Sequence, residues 1–167
     1  MQPWIRRLRG LPVVVALLVA AGSSSTGGAA ARAVPRPTGQ EAAHCRALHA
    51  ELPAALAGLE RGTSGPVSEF TADWGDPAVV LRCGIPHPDV LTVGSKSFDR
   101  YASAWEIGGI EWFPVRLPDG GVRCIAIHRA AFVEVVVPKE YGGDGTGQTA
   151  LAELGPLIVK AVPEGYV

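Results

Sequence analysis

Cys45 and Cys83 constrain this fold most, because each lies on the apolar side of a predicted element. Cys45 belongs to a stripe of apolar residues spaced three and four apart, which is typical of an amphipathic helix. Cys83 ends the run 77–83, in which alternate residues share one face of a predicted strand. Both cysteines should therefore point into a common core from different elements, and we predict that they form a disulfide.

The first 33 residues predict that the chain is exported. Three arginines precede the apolar run 11–22, and a segment of small and polar residues follows it. A basic start, an apolar stretch of about 7–15 residues and a small-residue exit are the layout of a secretory signal. We therefore expect residues 1–33 to be a signal peptide that is removed before Val34, or a signal anchor that is retained.

Export would place the protein in an oxidising compartment, where paired cysteines persist as disulfides. The predicted location is extracytoplasmic, either secreted or tethered to the cell envelope through the N-terminal segment.

Residues 1–33 hold four of the 15 Lys and Arg and none of the 16 Asp and Glu. The remainder has 11 basic against 16 acidic side chains, a formal charge of −5.

This charge bears on the partners of the protein. Nucleic acid is not expected, since its binding depends on neutralising phosphates with Lys and Arg. An envelope protein or ligand remains the expected partner, and no cofactor is predicted.

The rest of the chain is predicted to form a linker at 34–40 and one domain at 41–167, which is long enough for one ordinary core. The expected elements are a helix at 41–51, a short helical piece at 53–60, a strand at 77–83, a hairpin over 110–128, a strand at 132–138 and a helix at 149–162 that Pro156 breaks or bends. Helices at both ends with hairpin-linked strands between them predict an α+β fold. We expect an antiparallel sheet of about four strands, with N- and C-terminal helices packed on one face.

Four motifs run in order along the chain. They are Cys-x-x-Leu-x-x-x-Leu-Pro (45–53), Trp-Gly-Asp-Pro-x-x-x-Leu-Arg-Cys-Gly (74–84), Gly-x-x-Trp (109–112) and Val-x-Val-Pro (135–138). The set resembles DUF3515, a domain of unknown function in small exported or membrane-associated proteins of actinobacteria. The resemblance covers essentially the whole chain after the leader. It implies an exported protein with no assigned reaction, and it supplies no catalytic residue. Ser23 departs from relatives that carry a lipid-attached cysteine after the signal, which argues against a lipid anchor here.

A metal site is the alternative to the disulfide. Cys45 and His49 are four residues apart on the predicted helix, and Cys83 and His87 repeat this spacing. Two cysteines and two histidines can bind zinc tetrahedrally. However, the second pair follows a strand into a Pro-His-Pro sequence, so the shared-face argument covers only the first pair. No metal is predicted, and this set remains the alternative.

The third cysteine, Cys124, is predicted to be a buried, inert thiol. A reactive or intermolecular thiol is the other reading of an unpaired cysteine. His128 follows four residues later on the same predicted strand, which is too far for direct contact without a bulge. The chain also has no Gly-x-Ser-x-Gly motif. No catalytic residue is therefore predicted, and a thiol-dependent enzyme is kept only as an alternative to a binding or structural module.

Three aromatic residues form a candidate binding patch. Trp112 and Phe113 are consecutive in a predicted strand, so one of them should face away from the core. Trp74 precedes a Gly-Asp-Pro turn, where it is either a core plug or part of a ligand loop. An outward aromatic side chain would suit a peptide, a glycan or a membrane partner.

Overall fold

A computed structural model describes residues 33–62 and 68–165. The predicted signal segment therefore lies outside the described residues, except for Ala33. Within the described ranges, no helix combines the length and the apolar character needed to cross a membrane.

The described chain forms two α-helices and eight antiparallel strands. The elements are α1 (Gly39–Glu51), β1 (Ala55–Leu56), β2 (Leu59–Glu60), β3 (Thr71–Trp74), β4 (Val79–Cys83), β5 (Trp105–Ile107), β6 (Ile110–Arg116), β7 (Val122–Ala126), β8 (Val133–Val137) and α2 (Thr146–Ala161), with short 3-10 turns at Asp89–Leu91 and Lys139–Tyr141. Strands β1 and β2 form a hairpin of their own. The others form one sheet in the order β3-β4-β8-β7-β6-β5. The predicted α+β class is confirmed, but the main sheet has six strands rather than about four.

The two additional strands lie at the edges of the sheet. Strand β3 has four residues and pairs with β4 across the turn that contains Gly75 and Asp76-Pro77. Strand β5 has three residues and reaches β6 through Gly108 and Gly109, both at positive φ. Strands this short contain too few alternations to stand out as a period-two pattern. The four longer strands match the predicted ones.

The short helical piece predicted at 53–60 is wrong. Helix α1 ends at Glu51, and the residues after Pro53 form the β1–β2 hairpin. Ala57 and Gly58 occupy its turn with φ of 50° and 79°. Two consecutive positive-φ residues are the geometry of a two-residue hairpin turn, which a helix cannot contain.

The sequence predicts that Pro156 breaks or bends the C-terminal helix, and the break is wrong, because α2 continues through this residue. Proline removes one amide donor from a helix and crowds the preceding turn. On either side of it, Leu154 and Ile158 are fully buried in the core. Their burial stabilises the continuous helix and offsets the lost hydrogen bond.

The main core lies between the two helices and one face of the six-stranded sheet. Both helices and alternate positions of all the longer strands contribute to it: Cys45, Leu48, Trp74, Val79, Leu81, Cys83, Ile110, Trp112, Cys124, Val133, Val135, Leu154 and Ile158. The opposite face carries a smaller cluster of Ile85, Ile125 and Phe132, with Phe113 packed against it. Trp112 and Phe113 thus lie on opposite faces of β6, as alternation requires.

Helix α2 approaches the β5–β6 turn very closely. A Cβ placed on Gly155 would lie 2.7 Å from the carbonyl carbon of Gly108. In the other direction, a Cβ on Gly108 would lie 2.8 Å from the carbonyl oxygen of Ala152. Backbone therefore faces backbone here, and neither side can yield by a side-chain rotation.

We predict that Gly155→Ala destabilises the protein despite the higher helix propensity of alanine. That propensity is worth about 1 kcal/mol in a helix, but overpacking against backbone costs about 1–3 kcal/mol or more. Urea unfolding of the variant should show a lower midpoint. Gly143→Ala is the matched control, since a Cβ there meets nothing within 4 Å. Equal stability of the two variants would contradict the close packing.

Candidate functional site

The structure joins Cys45 and Cys83 in a disulfide. The Cα atoms lie 5.5 Å apart, and the bond links residues separated by 38 positions. Both side chains are buried in the main core. The bond therefore fastens α1 to β4, as the apolar faces of the two segments indicate.

The alternative zinc site is not assembled. His49 lies beside Arg61, with 3.3 Å between its Nε2 and the Nη2 of the arginine. The ring of His87 meets Phe132 edge-on, and its Nδ1 lies 3.1 Å from the hydroxyl of Thr92. Because Cys45 and Cys83 are joined in the disulfide, neither can supply a thiolate to this metal site. Over residues 33–62 and 68–165, no group of three or more His, Cys, Asp or Glu could hold a metal ion.

Cys124 is a buried thiol on the core face of β7. Burial raises its pKa to about 12, because a thiolate would lose its hydration in the core. The thiolate is the nucleophilic form of cysteine. Cys124 is therefore unsuited to nucleophilic catalysis, in agreement with the prediction of an inert thiol.

The three candidate aromatic residues do not share one exposed surface. Trp74 is fully buried, donates its indole N–H to the carbonyl of Pro53 at 3.1 Å and lies under the guanidinium of Arg61. Trp112 is also fully buried, and its indole N–H donates to the carbonyl of Ile107. Phe113 is half-buried on the other side of the sheet. Trp74 is therefore a core plug.

A buried carboxylate, Glu134, lies on the sheet face opposite the helices. It is 1% exposed and directly faces Arg82 across β4 and β8, with 3.0 Å between Arg82 Nη1 and its Oε1. Arg123 approaches its other oxygen at 3.5 Å. Arg82 also donates to the carbonyl of Ala33. Two guanidinium groups thus neutralise one carboxylate within the sheet, which assigns this cluster to stability rather than to ligand binding.

The polar pocket is an open cavity of about 370 Å³. The β5–β6 hairpin, the connection between β7 and β8, and the chain after α2 enclose it. Five ionisable side chains line it: Glu106, Glu111, His128, Arg129 and Glu164.

A larger and more apolar cavity of about 460 Å³ lies at the start of α2. Glu153 is the one ionisable residue that lines it, and its carboxylate already accepts a hydrogen bond from the amide of Ala57. This cavity therefore has fewer charged groups for a ligand than the polar pocket has.

His128 has an unusual backbone at this pocket, with φ of 58°. This region is costly for residues other than glycine, and such outliers concentrate at functional sites. The conformation turns the chain between β7 and β8. The His128 Nδ1 lies 2.7 Å from Glu111 Oε2, and both side chains are more than half exposed.

Two glutamates of the pocket repel each other. Glu106 and Glu111 lie directly opposite each other on β5 and β6. Like charges at opposing positions of a sheet destabilise it. His128 offsets the charge of Glu111 when it is protonated, but nothing in the described chain pairs with Glu106.

Arg129 is the buried cation of the pocket, at 9% exposed. Its Nη1 and Nη2 donate to the carbonyls of Val162 and Gly109, each at the long distance of 3.4 Å. Its Nε has no hydrogen-bond partner, which is also true of the Arg82 Nε, but Arg82 has the carboxylate of Glu134 as a counter-ion. None of the carboxylates in the described residues forms an ion pair with it. A buried arginine without a counter-ion is costly, and it is the feature of the pocket that most needs an explanation.

Sequence reasoning missed both the buried cluster around Glu134 and the polar pocket around Arg129. Glu134 lies in an apolar strand, where nothing in the sequence shows which cations face it across the sheet. The pocket combines residues from three distant segments. The one local signal is the charged dipeptide His128-Arg129, at the end of the predicted hairpin 110–128 and before the strand predicted at 132–138.

We predict that Glu134→Gln destabilises the protein by about 3 kcal/mol or more, since both arginines lose a buried carboxylate. Glu69→Gln is the matched control, because Glu69 pairs with Arg46 at 2.7 Å but both side chains are about half exposed. That change should cost less than about 1 kcal/mol. Chemical denaturation of both variants measures the difference, and similar losses would contradict a structural role for the buried cluster.

We also predict that Cys124 resists alkylation in the folded protein. An ordinary thiol reacts faster as the pH rises from about 7 to 9, because more thiolate forms. Cys124, with a pKa of about 12, should stay almost unreactive over this range and react once denaturant is added. Mass spectrometry after iodoacetamide treatment measures this. Rapid labelling of the native protein would restore the reactive-thiol alternative.

Comparisons with known proteins place the chain in a family. No curated protein and no solved structure matches it. A family model described as "Protein of unknown function (DUF3515)" matches residues 9–167, which is nearly the whole chain. The resemblance carried by the four sequence motifs is thereby confirmed, and the chain belongs to the DUF3515 family.

Proposed function

We propose that this protein is an exported domain of the cell envelope that acts by binding a ligand. The Cys45–Cys83 disulfide is the observation that carries the proposal. Disulfides persist in oxidising compartments outside the cytoplasm. The basic and apolar leader supports the same location, because it has the layout of a secretory signal.

Binding is favoured over catalysis by the chemistry of the available groups. A thiol-dependent enzyme needs an accessible thiolate, whereas Cys124 is buried and its pKa is raised to about 12. The polar pocket offers carboxylates, an imidazole and a guanidinium. Among the described residues that line it, none is Ser, Thr or Cys. The pocket is thus equipped to hold charged groups but has no hydroxyl or thiol nucleophile.

The expected partner is a ligand or protein of the envelope. The formal charge of −5 after residue 33 disfavours nucleic acid. The N-terminal segment would tether the protein to the membrane if it is retained. Secretion follows if the segment is removed.

The proposal is tested by expressing the full chain in a bacterium with a general secretion pathway and fractionating the cells. We expect the protein in the envelope or the medium, with one thiol titratable after denaturation and three after reduction. A chain that begins at Val34 is the control and should stay reduced in the cytosol. Recovery of the full chain only from the cytosol, three free thiols without reductant, or stoichiometric zinc would each contradict the proposal.

A further inference from the structure

The charges of the polar pocket are separated rather than paired. Arg129 and three glutamates line the same cavity. In the described chain no carboxylate comes within the roughly 4 Å of Arg129 that defines an ion pair. Opposite charges that line one cavity without meeting leave room for a molecule between them.

The Arg129 side of the pocket is suited to an anionic group. The side chain is nine-tenths buried, its Nε–H lacks an acceptor, and, unlike Arg82, it has no carboxylate partner among the described residues. The two carbonyls that its other nitrogens reach at 3.4 Å are neutral and hold the guanidinium in place. A guanidinium presents parallel N–H donors that match the two oxygens of a carboxylate.

The glutamate side requires a cationic group. Glu106 and Glu164 form no ion pair in the described chain, and Glu106 directly opposes Glu111 across the strands. A cation placed among these carboxylates would relieve their repulsion. A metal ion is disfavoured, since these side chains are not grouped closely enough to hold one, and no other such group occurs in the described residues.

We propose that the polar pocket binds a small zwitterion, with a carboxylate placed at Arg129 and an ammonium group placed among the glutamates. Free amino acids and short peptides have this chemistry. An anion alone would be repelled by the glutamates, and a cation alone would leave Arg129 without a counter-ion. The volume of about 370 Å³ lies near the lower end of the roughly 300–1,000 Å³ of small-molecule sites, which suits a ligand of this size.

This inference rests on the proposed binding function, and NMR titration of the exported, oxidised protein tests it. The probes are alanine and dialanine, with N-acetylalanine and alaninamide as forms that lack the ammonium or the carboxylate. We expect the zwitterions to shift the amide signals of Gly109, which lines the pocket, and of Gly165, whose N–H donates to the carbonyl of the lining residue His128. Each blocked form should bind about tenfold more weakly or worse, because it leaves a charged group without its partner.

Two variants assign the roles of the charges. Glu106→Gln should weaken dialanine binding about tenfold, and folding is not at risk because this side chain is exposed and has no partner in the described chain. Arg129→Lys keeps the charge but loses the parallel donors, so it should weaken binding as well. Glu140→Gln, an exposed glutamate outside the pocket, is the matched control and should bind as the unaltered protein does.

Three results would overturn the inference. They are no shift at either glycine with any zwitterion at millimolar concentration, equal binding of the blocked forms, or unaltered binding by Glu106→Gln. Any of them, obtained with a protein that is exported and oxidised, contradicts the ligand class and leaves the proposed function standing. A protein that stays in the cytosol contradicts the proposed function itself.

Discussion

The bond between Cys45 and Cys83 is the constraint on which the rest of the structure depends. It ties the first helix to β4, the strand next to one edge of the sheet, so the position of α1 is fixed by covalent chemistry as well as by packing. Closing a loop of 38 residues lowers the entropy of the unfolded chain, by about 4 kcal/mol in the chain-entropy model. That is a large share of the 5–15 kcal/mol by which domains are usually stable. The oxidised form of the domain is thereby more stable than the reduced form would be.

The two buried charged residues, Glu134 and Arg129, differ in their partners. Glu134 lies under two guanidinium groups, so its burial is compensated within the sheet and its effect is confined to stability. Arg129 is also buried, but among the described residues its hydrogen-bond partners are two carbonyl oxygens. Desolvation disfavours the charge of both groups, and within the described chain only Glu134 has counter-ions. This difference distinguishes the structural cluster from the candidate site.

The sequence predicts the parts of this fold that are governed by local periodicity. The pairing of Cys45 with Cys83 follows from the apolar faces of one helix and one strand, and the long strands follow from alternation. The misassignments occur where tertiary packing or turn geometry overrides propensity, as after Pro53 and at Pro156. Strands β3 and β5 are too short to carry a pattern. The polar pocket could not be predicted, because the importance of Arg129 arises from neighbours that are distant in sequence.

One wall of the polar pocket is held by a short backbone pairing. The chain after α2 is joined to the β7–β8 connection by an isolated β-bridge between Arg129 and Glu164 and by backbone hydrogen bonds from Ala130 to Pro163 and from Gly165 to His128. Regions with few contacts open locally at a lower free energy than the whole domain. Since Glu164 lines the cavity, detachment of this segment would remove one wall of the pocket without breaking the Cys45–Cys83 bond.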